Sequence, residues 1–314
     1  MTDTQAQFAP DWLSPPGDTI ADVLEERGWS QAEFAQRIDY TPKHVNQLLR
    51  GKAPISEETA LRLERVLGST ARFWLQREAE YREALARRAE QAAMAQESAW
   101  LAELPLKEMV RFGWVQDCRE NAAAQVAECL RFFGVATVSA WRARYVAPLA
   151  AFRAWPRDEM QPGAVSAWLR QGERRAAAIE CAPFARKTFL QALQELRALT
   201  NEPEPAIFVP RMTALCAAAG VAVVLEPAPS GCPASGAVRW LTPECALLML
   251  SLRYKSNDQL WFSFFHEAGH LLLHGKRLLF LEVEEHRDGQ DEEEANAFAR
   301  DFLIPSAAAT QNDQ

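Results

Sequence analysis

Two histidines and a glutamate stand together in His266-Glu267-Ala268-Gly269-His270, inside the longer run Phe264-Phe265-His266-Glu267-Ala268-Gly269-His270-Leu271-Leu272-Leu273-His274-Gly275. On a helix, residues four apart lie on one face, one turn apart. Both imidazoles can then reach a single metal ion. Glu267 follows the first ligand directly and projects beside the same ion, where it can take a proton from a water held there. This spacing predicts zinc-assisted hydrolysis, with His266 and His270 as metal ligands and Glu267 as the catalytic base. The flanks are apolar (Leu260, Trp261, Phe262, Phe264, Phe265, Leu271, Leu272). A buried helix needs a reason to carry two histidines and a glutamate, and a metal supplies one.

Zinc needs another protein ligand and an open position. His274 lies one turn beyond His270. It falls two positions short of the third histidine in H-E-x-x-H-x-x-G-x-x-H, where this chain has Lys276. A straight helix carries His274 past the ion, so its expected place is behind the ligands or at the helix end. The better source is Glu292-Glu293-Glu294-Ala295-Asn296-Ala297-Phe298-Ala299. Glu292 and Asn296 share a helix face; Glu292 is the expected ligand, and Asn296 orients a histidine or a loop. Glu294 is the alternative ligand. Asp291 is a helix cap, and Glu293 belongs to a solvated helix start. Tyr254, Arg239 and His286 are candidates for an oxyanion donor. A substrate strand would add beside Ala237-Val238-Arg239.

A second kind of chemistry sits near the other end. Ser30 to Gly51 has helix-turn-helix spacing, and the second helix of the pair would be the recognition helix. Its outer positions are Lys43, His44, Asn46, Gln47 and Arg50. Asn and Gln can each make two hydrogen bonds to adenine, and Lys can reach guanine. Gln31, Thr41, Arg50 and Lys52 are placed to bind phosphates. Lys43, Arg50 and Lys52 form a local basic cluster in an acidic surrounding, which points to double-stranded DNA.

The elements that must position these residues divide the chain in three. Residues 1–10 look disordered. Residues 11–98 read as a helix-turn-helix bundle with a long trailing helix. Thr19 to Gly28 is an amphipathic helix ended by glycine; Ser30 caps a second helix with Glu33 completing a capping box; Thr41 and Pro42 open a third; Ser56 to Leu67 forms a fourth. Ala71 to about Ser98 favours a long exposed helix. Residues 99–200 read as a helical middle domain, with Trp141, Trp155 and Trp168 as core or interface aromatics. Asn201-Glu202-Pro203-Glu204-Pro205 marks a boundary. Residues 201–314 mix types: a helix from Arg211 closed by Gly220, a buried strand Val221–Leu225, and paired strands Gly236–Trp240 and Ala246–Leu252 around a turn at Thr242-Pro243-Glu244. The histidine helix begins near Asn257 or Asp258, and the acidic helix spans Asp291 to Leu303. The fold class expected is multidomain and mainly α, with a small α+β C-terminal domain, zincin-like, holding a short antiparallel sheet.

The 314 residues are 48% hydrophobic and 24% charged, which suits an ordinary globular protein. The net charge of −8 excludes neither DNA nor protein partners, because DNA binding needs only a local basic patch. No apolar run is long enough to span a bilayer, and the first residues lack a secretory signal pattern. The six cysteines are scattered without a C-x-x-C pair and read as reduced thiols. Together these features suggest a cytoplasmic protein with no membrane partner.

The C-terminal motifs resemble the ImmA/IrrE family of metallopeptidases. The matching residues are His266 to His274, Glu292 to Ala299 and Asp301-Phe302-Leu303-Ile304-Pro305, with Ser251-Leu252-Arg253-Tyr254-Lys255 and Gly236-Ala237-Val238-Arg239-Trp240 also similar. The resemblance covers roughly the last hundred residues. It implies a zinc peptidase, often one that removes a repressor. Members usually continue into more helices after the Ile304-Pro305 position, whereas this chain ends at Gln314; a missing wall would weaken substrate binding or bare apolar surface. The N-terminal motifs resemble the Xre-type domain of HigA-like antitoxins: Ser14-Pro15-Pro16-Gly17-Asp18-Thr19-Ile20, Gly28 to Ala35, Gly51-Lys52-Ala53-Pro54-Ile55-Ser56, Ala60 to Glu64 and Phe73-Trp74-Leu75. That resemblance covers about the first eighty residues. It implies a homodimeric repressor on its own palindromic operator, with a cognate toxin as partner.

Overall fold

The computed structural model describes residues 13–147, 160–251, 257–275, 280–282 (backbone) and 289–304. The expectations for residues 1–10, Trp155, Tyr254, Lys276, His286 and the segment after Ile304 lie outside these residues. Contacts divide the chain into two compact units, residues 1–94 and 95–314.

The first unit contains α1 (Pro16–Glu26), α2 (Gln31–Ile38), α3 (Pro42–Leu49), α4 (Glu57–Leu67) and the long α5 (Ala71–Gln96). Polar caps set the starts. The hydroxyls of Ser30, Thr41 and Ser56 accept the backbone N–H of Glu33, His44 and Thr59, each at 3.2 Å. Asp39 adopts φ 59°, the left-handed conformation that turns the chain between α2 and α3. Ile20, Leu24, Phe34, Ile38, Val45, Leu48, Leu63 and Trp74 close the core. Helix α1 starts three residues earlier than the amphipathic pattern indicates, at Pro16, because proline suits a first turn. Gly17 then meets α3 at close quarters: a Cβ there would lie 1.9 Å from the Leu49 carbonyl oxygen. Helix α5 braces the far end of α3, since Arg82 donates to the Gly51 carbonyl at 3.0 Å and pairs with Glu78 at 2.6 Å.

The second unit opens with a 3₁₀ turn (Ser98–Glu103), then α6 (Leu106–Arg111), α7 (Ala122–Phe133), α8 (Val138–Trp141, continuing through a π turn to Val146), α9 (Pro162–Ala176), α10 (Arg186–Ala198) and α11 (Pro205–Ala217). Strands β1 (Val221–Leu225), β2 (Gly236–Thr242), β3 (Cys245–Leu250) and β4 (Phe280–Glu282) form one sheet in the order β1-β3-β2-β4. Helix α12 (Asn257–Leu273) and α13 (Gln290–Leu303) complete the unit.

Four findings differ from the sequence reading. The sheet is mixed: β2 and β3 pair antiparallel as expected, but β1 joins β3 in parallel. The connection from β1 passes through β2 before β3 fills the space between them, which no local pattern reveals. The β2 edge at Ala237 and Val238, expected to receive a substrate strand, already holds β4. Helix α11 starts at Pro205, where Glu204 accepts the Ala206 N–H, and runs on with Pro210 within it. The middle helices, expected as a separate domain over 99–200, belong to the same compact unit as the sheet. Their attachment is polar and buried: Trp114 and Trp168 donate their indole N–H groups to the carboxylate and carbonyl of Glu226, at 2.8 and 2.9 Å. Gly172 on α9 makes room for Met249 of β3, whose sulfur would lie 2.0 Å from a Cβ at that position. Trp141 and Trp168 are fully buried, as expected of core aromatics.

The contact at Gly17 generates a prediction. In Gly17→Ala the new methyl meets backbone that cannot swing away, so the first unit loses about 1–3 kcal/mol. Hydrogen exchange of the full chain should show α1 and α3 opening faster while α12 is unchanged. Equal protection in both proteins would contradict the close crossing.

Candidate metal centre and nucleic-acid interface

Helix α12 is held at both ends. Asn257 donates to the Thr200 carbonyl at 2.9 Å, and Arg186 donates to the Leu272 carbonyl at the other end. Trp240 reaches the Gly275 carbonyl at 3.3 Å. Trp261, Phe264, Phe265, Ala268, Leu271 and Leu272 bury the helix in the main core. The polar face is thereby fixed toward α13.

Helix α13 crosses that face closely because position 269 has no side chain. A Cβ on Gly269 would lie 3.2 Å from the Phe298 ring and 3.3 Å from the Ala295 Cα. Phe265 and Phe302 stack at 5.3 Å further along. The approach delivers Glu292 to the histidines. Its carboxylate oxygens lie 3.2 Å from His266 Nε2 and 3.4 Å from His270 Nε2, and the two Nε2 atoms are 3.0 Å apart. Among the described residues, this is the one trio of His, Cys, Asp or Glu whose ligand atoms all lie within 4.8 Å of one another.

The donor set fits a divalent cation. Asn296 Oδ1 stands 3.1 Å from His266 Nδ1. An amide oxygen only accepts, so with this amide orientation the His266 proton sits on Nδ1 and Nε2 turns a lone pair to the centre. Burial pushes the Glu292 carboxyl up, but the close approach of the His266 and His270 rings outweighs that and holds it at about 2, so it is a carboxylate at neutral pH. Burial lowers the pKa of His270 and favours its neutral ring. Lone pairs from two imidazoles and a carboxylate face one another, and only a positive centre among them, a proton or a cation, relieves the repulsion. Nitrogen and oxygen donors of this kind suit zinc.

Glu267 is fully buried beside its histidine neighbours. Strand β2 presses on it through Gly236, where a Cβ would lie 2.4 Å from Glu267 Oε1. Gly236 went unassigned in the sequence; the signal was a glycine opening a strand pattern, a mark of close approach. His274 is placed behind His270, with the two Nδ1 atoms 3.0 Å apart. Glu294, offered as an alternative ligand, meets His274 Nε2 at 3.3 Å instead of the central cluster. Two positions separate it from Glu292, which turns it well around the helix. Glu293 is exposed. Arg239, offered as an oxyanion donor, pairs with Glu173 of α9. Tyr254 and His286, the other candidates for that role, lie outside the described residues.

On the first unit, Gln31, Thr41, Lys43, Gln47, Arg50 and Lys52 are exposed along α3 and its flanks. Asn46 is half-buried. His44 is half-buried too, edge-on to the Tyr40 ring at 4.5 Å between centroids. The Thr41 hydroxyl already caps α3, so any phosphate would meet its remaining O–H.

Residues 20–74 match the helix-turn-helix family model, and residues 232–313 match the IrrE N-terminal-like domain of the Peptidase M78 family. The chain is 40% identical over 60 residues to the Escherichia coli (strain K12) uncharacterized HTH-type transcriptional regulator YddM, covering 19% of this chain and 64% of that one. It is 31% identical over 67 residues to virulence-associated protein I of Dichelobacter nodosus, covering 21% and 62%. The chain thus spans less than two thirds of the length of either curated relative. Among solved structures, PA4674 of Pseudomonas aeruginosa in complex with its operator DNA is 33% identical, covering 24% of this chain and 81% of that one, with a TM-score of 0.23.

Two outcomes follow from the geometry. Gly269→Ala should part α12 from α13 and lengthen the Glu292 contacts, so calorimetry should show weaker divalent-cation binding with the histidines still in place. Unchanged affinity would show that the close crossing is dispensable. The lowered His270 pKa also fixes a direction for that ligand: protons compete with the cation at His270 only below the ordinary imidazole value of 6.5, so its share of the affinity should hold at neutral pH and fall as pH drops beneath that value. A loss already under way above neutral pH would contradict a His270 that stays unprotonated there.

Proposed function

We propose that this chain, which joins a helix-turn-helix domain to an IrrE N-terminal-like domain, is a cytoplasmic DNA-binding repressor or antitoxin carrying a zinc-dependent endopeptidase. The observation that carries the reading is the convergence of His266, His270 and Glu292 with Glu267 directly beside them. His266, His270 and Glu292 would hold the ion. A bound zinc ion would supply Lewis acidity toward a water and a peptide carbonyl. Glu267 accepts the proton of the attacking water and passes it to the leaving amine. Asn296 holds the His266 ring in orientation. Gly236 lets the β2 backbone close over the base without displacing its carboxylate.

Lys43, Asn46 and Gln47 would read base edges in a major groove, with His44 limited by its packing on Tyr40. Gln31, Thr41, Arg50 and Lys52 would bind phosphates. A homodimer on a palindromic operator fits this class of domain. The Escherichia coli relative is described as a transcriptional regulator, which supports this part of the reading. Cleavage of the chain itself or of a partner, such as a cognate toxin, would then control an operon of the toxin-antitoxin or stress-response kind.

One observation favours a second reading. His266, Glu267 and His270 are 0%, 0% and 1% exposed, as a closed structural metal site would be. On that reading the chain binds DNA and a toxin, and the zinc domain is a scaffold or sensor without turnover.

Zinc-loaded full chain, incubated alone and with the products of neighbouring genes, separates the two. The peptidase reading expects fragments by mass spectrometry that disappear in Glu267→Gln, a loss of about 10²–10⁴-fold, with zinc content unchanged. The same fragments from both proteins, or none from either, would remove the catalytic role. For the DNA-binding role, Asn46→Ala with Gln47→Ala should abolish a salt-dependent shift of the chain's own promoter. A shift that survives the double substitution would refute base reading by α3.

A further inference from the structure

His274 stands behind the metal centre, and two carboxylates stand behind His274. Its side chain is 4% exposed. Its Nδ1 lies 3.0 Å from His270 Nδ1. Its Nε2 lies 3.3 Å from Glu294 Oε2 and 3.9 Å from Asp291 Oδ1. Gln290 donates to the other Glu294 oxygen at 2.9 Å and steadies that carboxylate.

A neutral imidazole has one N–H and one bare nitrogen. A carboxylate only accepts, so Glu294 draws the His274 proton to Nε2. The Nδ1 of His274 is then bare and must accept. The group facing it is His270 Nδ1, whose proton is thereby fixed in place. The remaining nitrogen of His270, Nε2, is the one turned toward His266 and Glu292, and it is left with its lone pair.

We propose that Glu294 and His274 form a tautomer relay through two rings that keeps the Nε2 lone pair of His270 presented to a metal ion. This inference rests on the reading of the trio as a metal centre. Glu294 is a positioning residue that acts through His274. Asn296 does the same for His266 in one step, with a buried amide. The two ligands are thus oriented by different devices on one helix. The arm through His270 ends on a side chain that is 45% exposed, whereas Asn296 is buried.

The test compares two variants that remove the same charge from the same helix turn. In Glu294→Gln the amide can turn its N–H toward His274 Nε2, which reverses both rings and places the His270 proton on Nε2. Competition with a chromophoric chelator should show zinc bound about 10–100-fold more weakly. Glu293→Gln, at an exposed position, should bind as the unchanged chain does. In metal-free protein, ¹⁵N NMR should place the His270 proton on Nδ1 in the unchanged chain and on Nε2 in Glu294→Gln. Equal weakening in both variants, or a His270 tautomer indifferent to Glu294, would overturn the relay. Should Glu294→Gln fail to fold, His274→Ala replaces it, with a mixture of His270 tautomers expected and a single Nδ1–H tautomer overturning the proposal. If the unchanged chain takes up no zinc, the metal reading fails by itself, and the NMR comparison still decides the relay.

Discussion

The constraint on which the second unit turns is the need for a positive centre among three crowded electron-pair donors, two of them buried. His266, His270 and Glu292 are pressed within hydrogen-bond distance of one another. Burying such groups costs several kcal/mol unless each is paired. The surrounding fold does not let them turn away. Trp261, Phe264, Phe265, Leu271 and Leu272 lock the other side of α12 into the core, and Phe298 and Phe302 fix α13 above it. Only something placed between the donors relieves the conflict.

Much of the unit reads as the means of holding that geometry. Arg186 from α10 engages the last turn of α12, and Asn257 anchors the first. Strand β2 contributes Gly236 under Glu267 and Arg239 to the half-buried pair with Glu173 of α9. The same α9 carries Trp168, whose indole grips the chain just after β1. The middle helices therefore support the sheet that closes over Glu267. The first unit is built on separate terms: short capped helices around an apolar centre of Ile20, Phe34, Val45, Leu48 and Leu63.

Legibility in the sequence followed the range of the interactions. The spacing of His266 and His270, the shared face of Glu292 and Asn296, and the capping hydroxyls of Ser30, Thr41 and Ser56 are local, and each was readable one helix turn at a time. The choice of Glu292 over Glu294 was also visible, since Asn296 falls on the same face four residues on. What was hidden depends on distant partners. Trp114 meets Glu226 across 112 residues, and nothing near either residue announces it. The parallel pairing of β1 with β3 and the seat of β4 on β2 arise from how strands are ordered in space. Gly236 looked like any strand glycine until the carboxylate beneath it was located. His44 sits at an outward position of α3 by periodicity, yet it is half-buried with the Tyr40 ring edge-on to it.

The most direct measurement of the central claim is a crystal structure of the purified full chain with diffraction collected on both sides of the zinc absorption edge. A metal held by the trio predicts one anomalous peak per chain, within bonding reach of His266 Nε2, His270 Nε2 and a Glu292 oxygen, with Asn296 and His274 still on the outer nitrogens of the two rings. A chain grown with zinc that shows no peak there, with the three side chains swung apart or the ion held elsewhere, would contradict it.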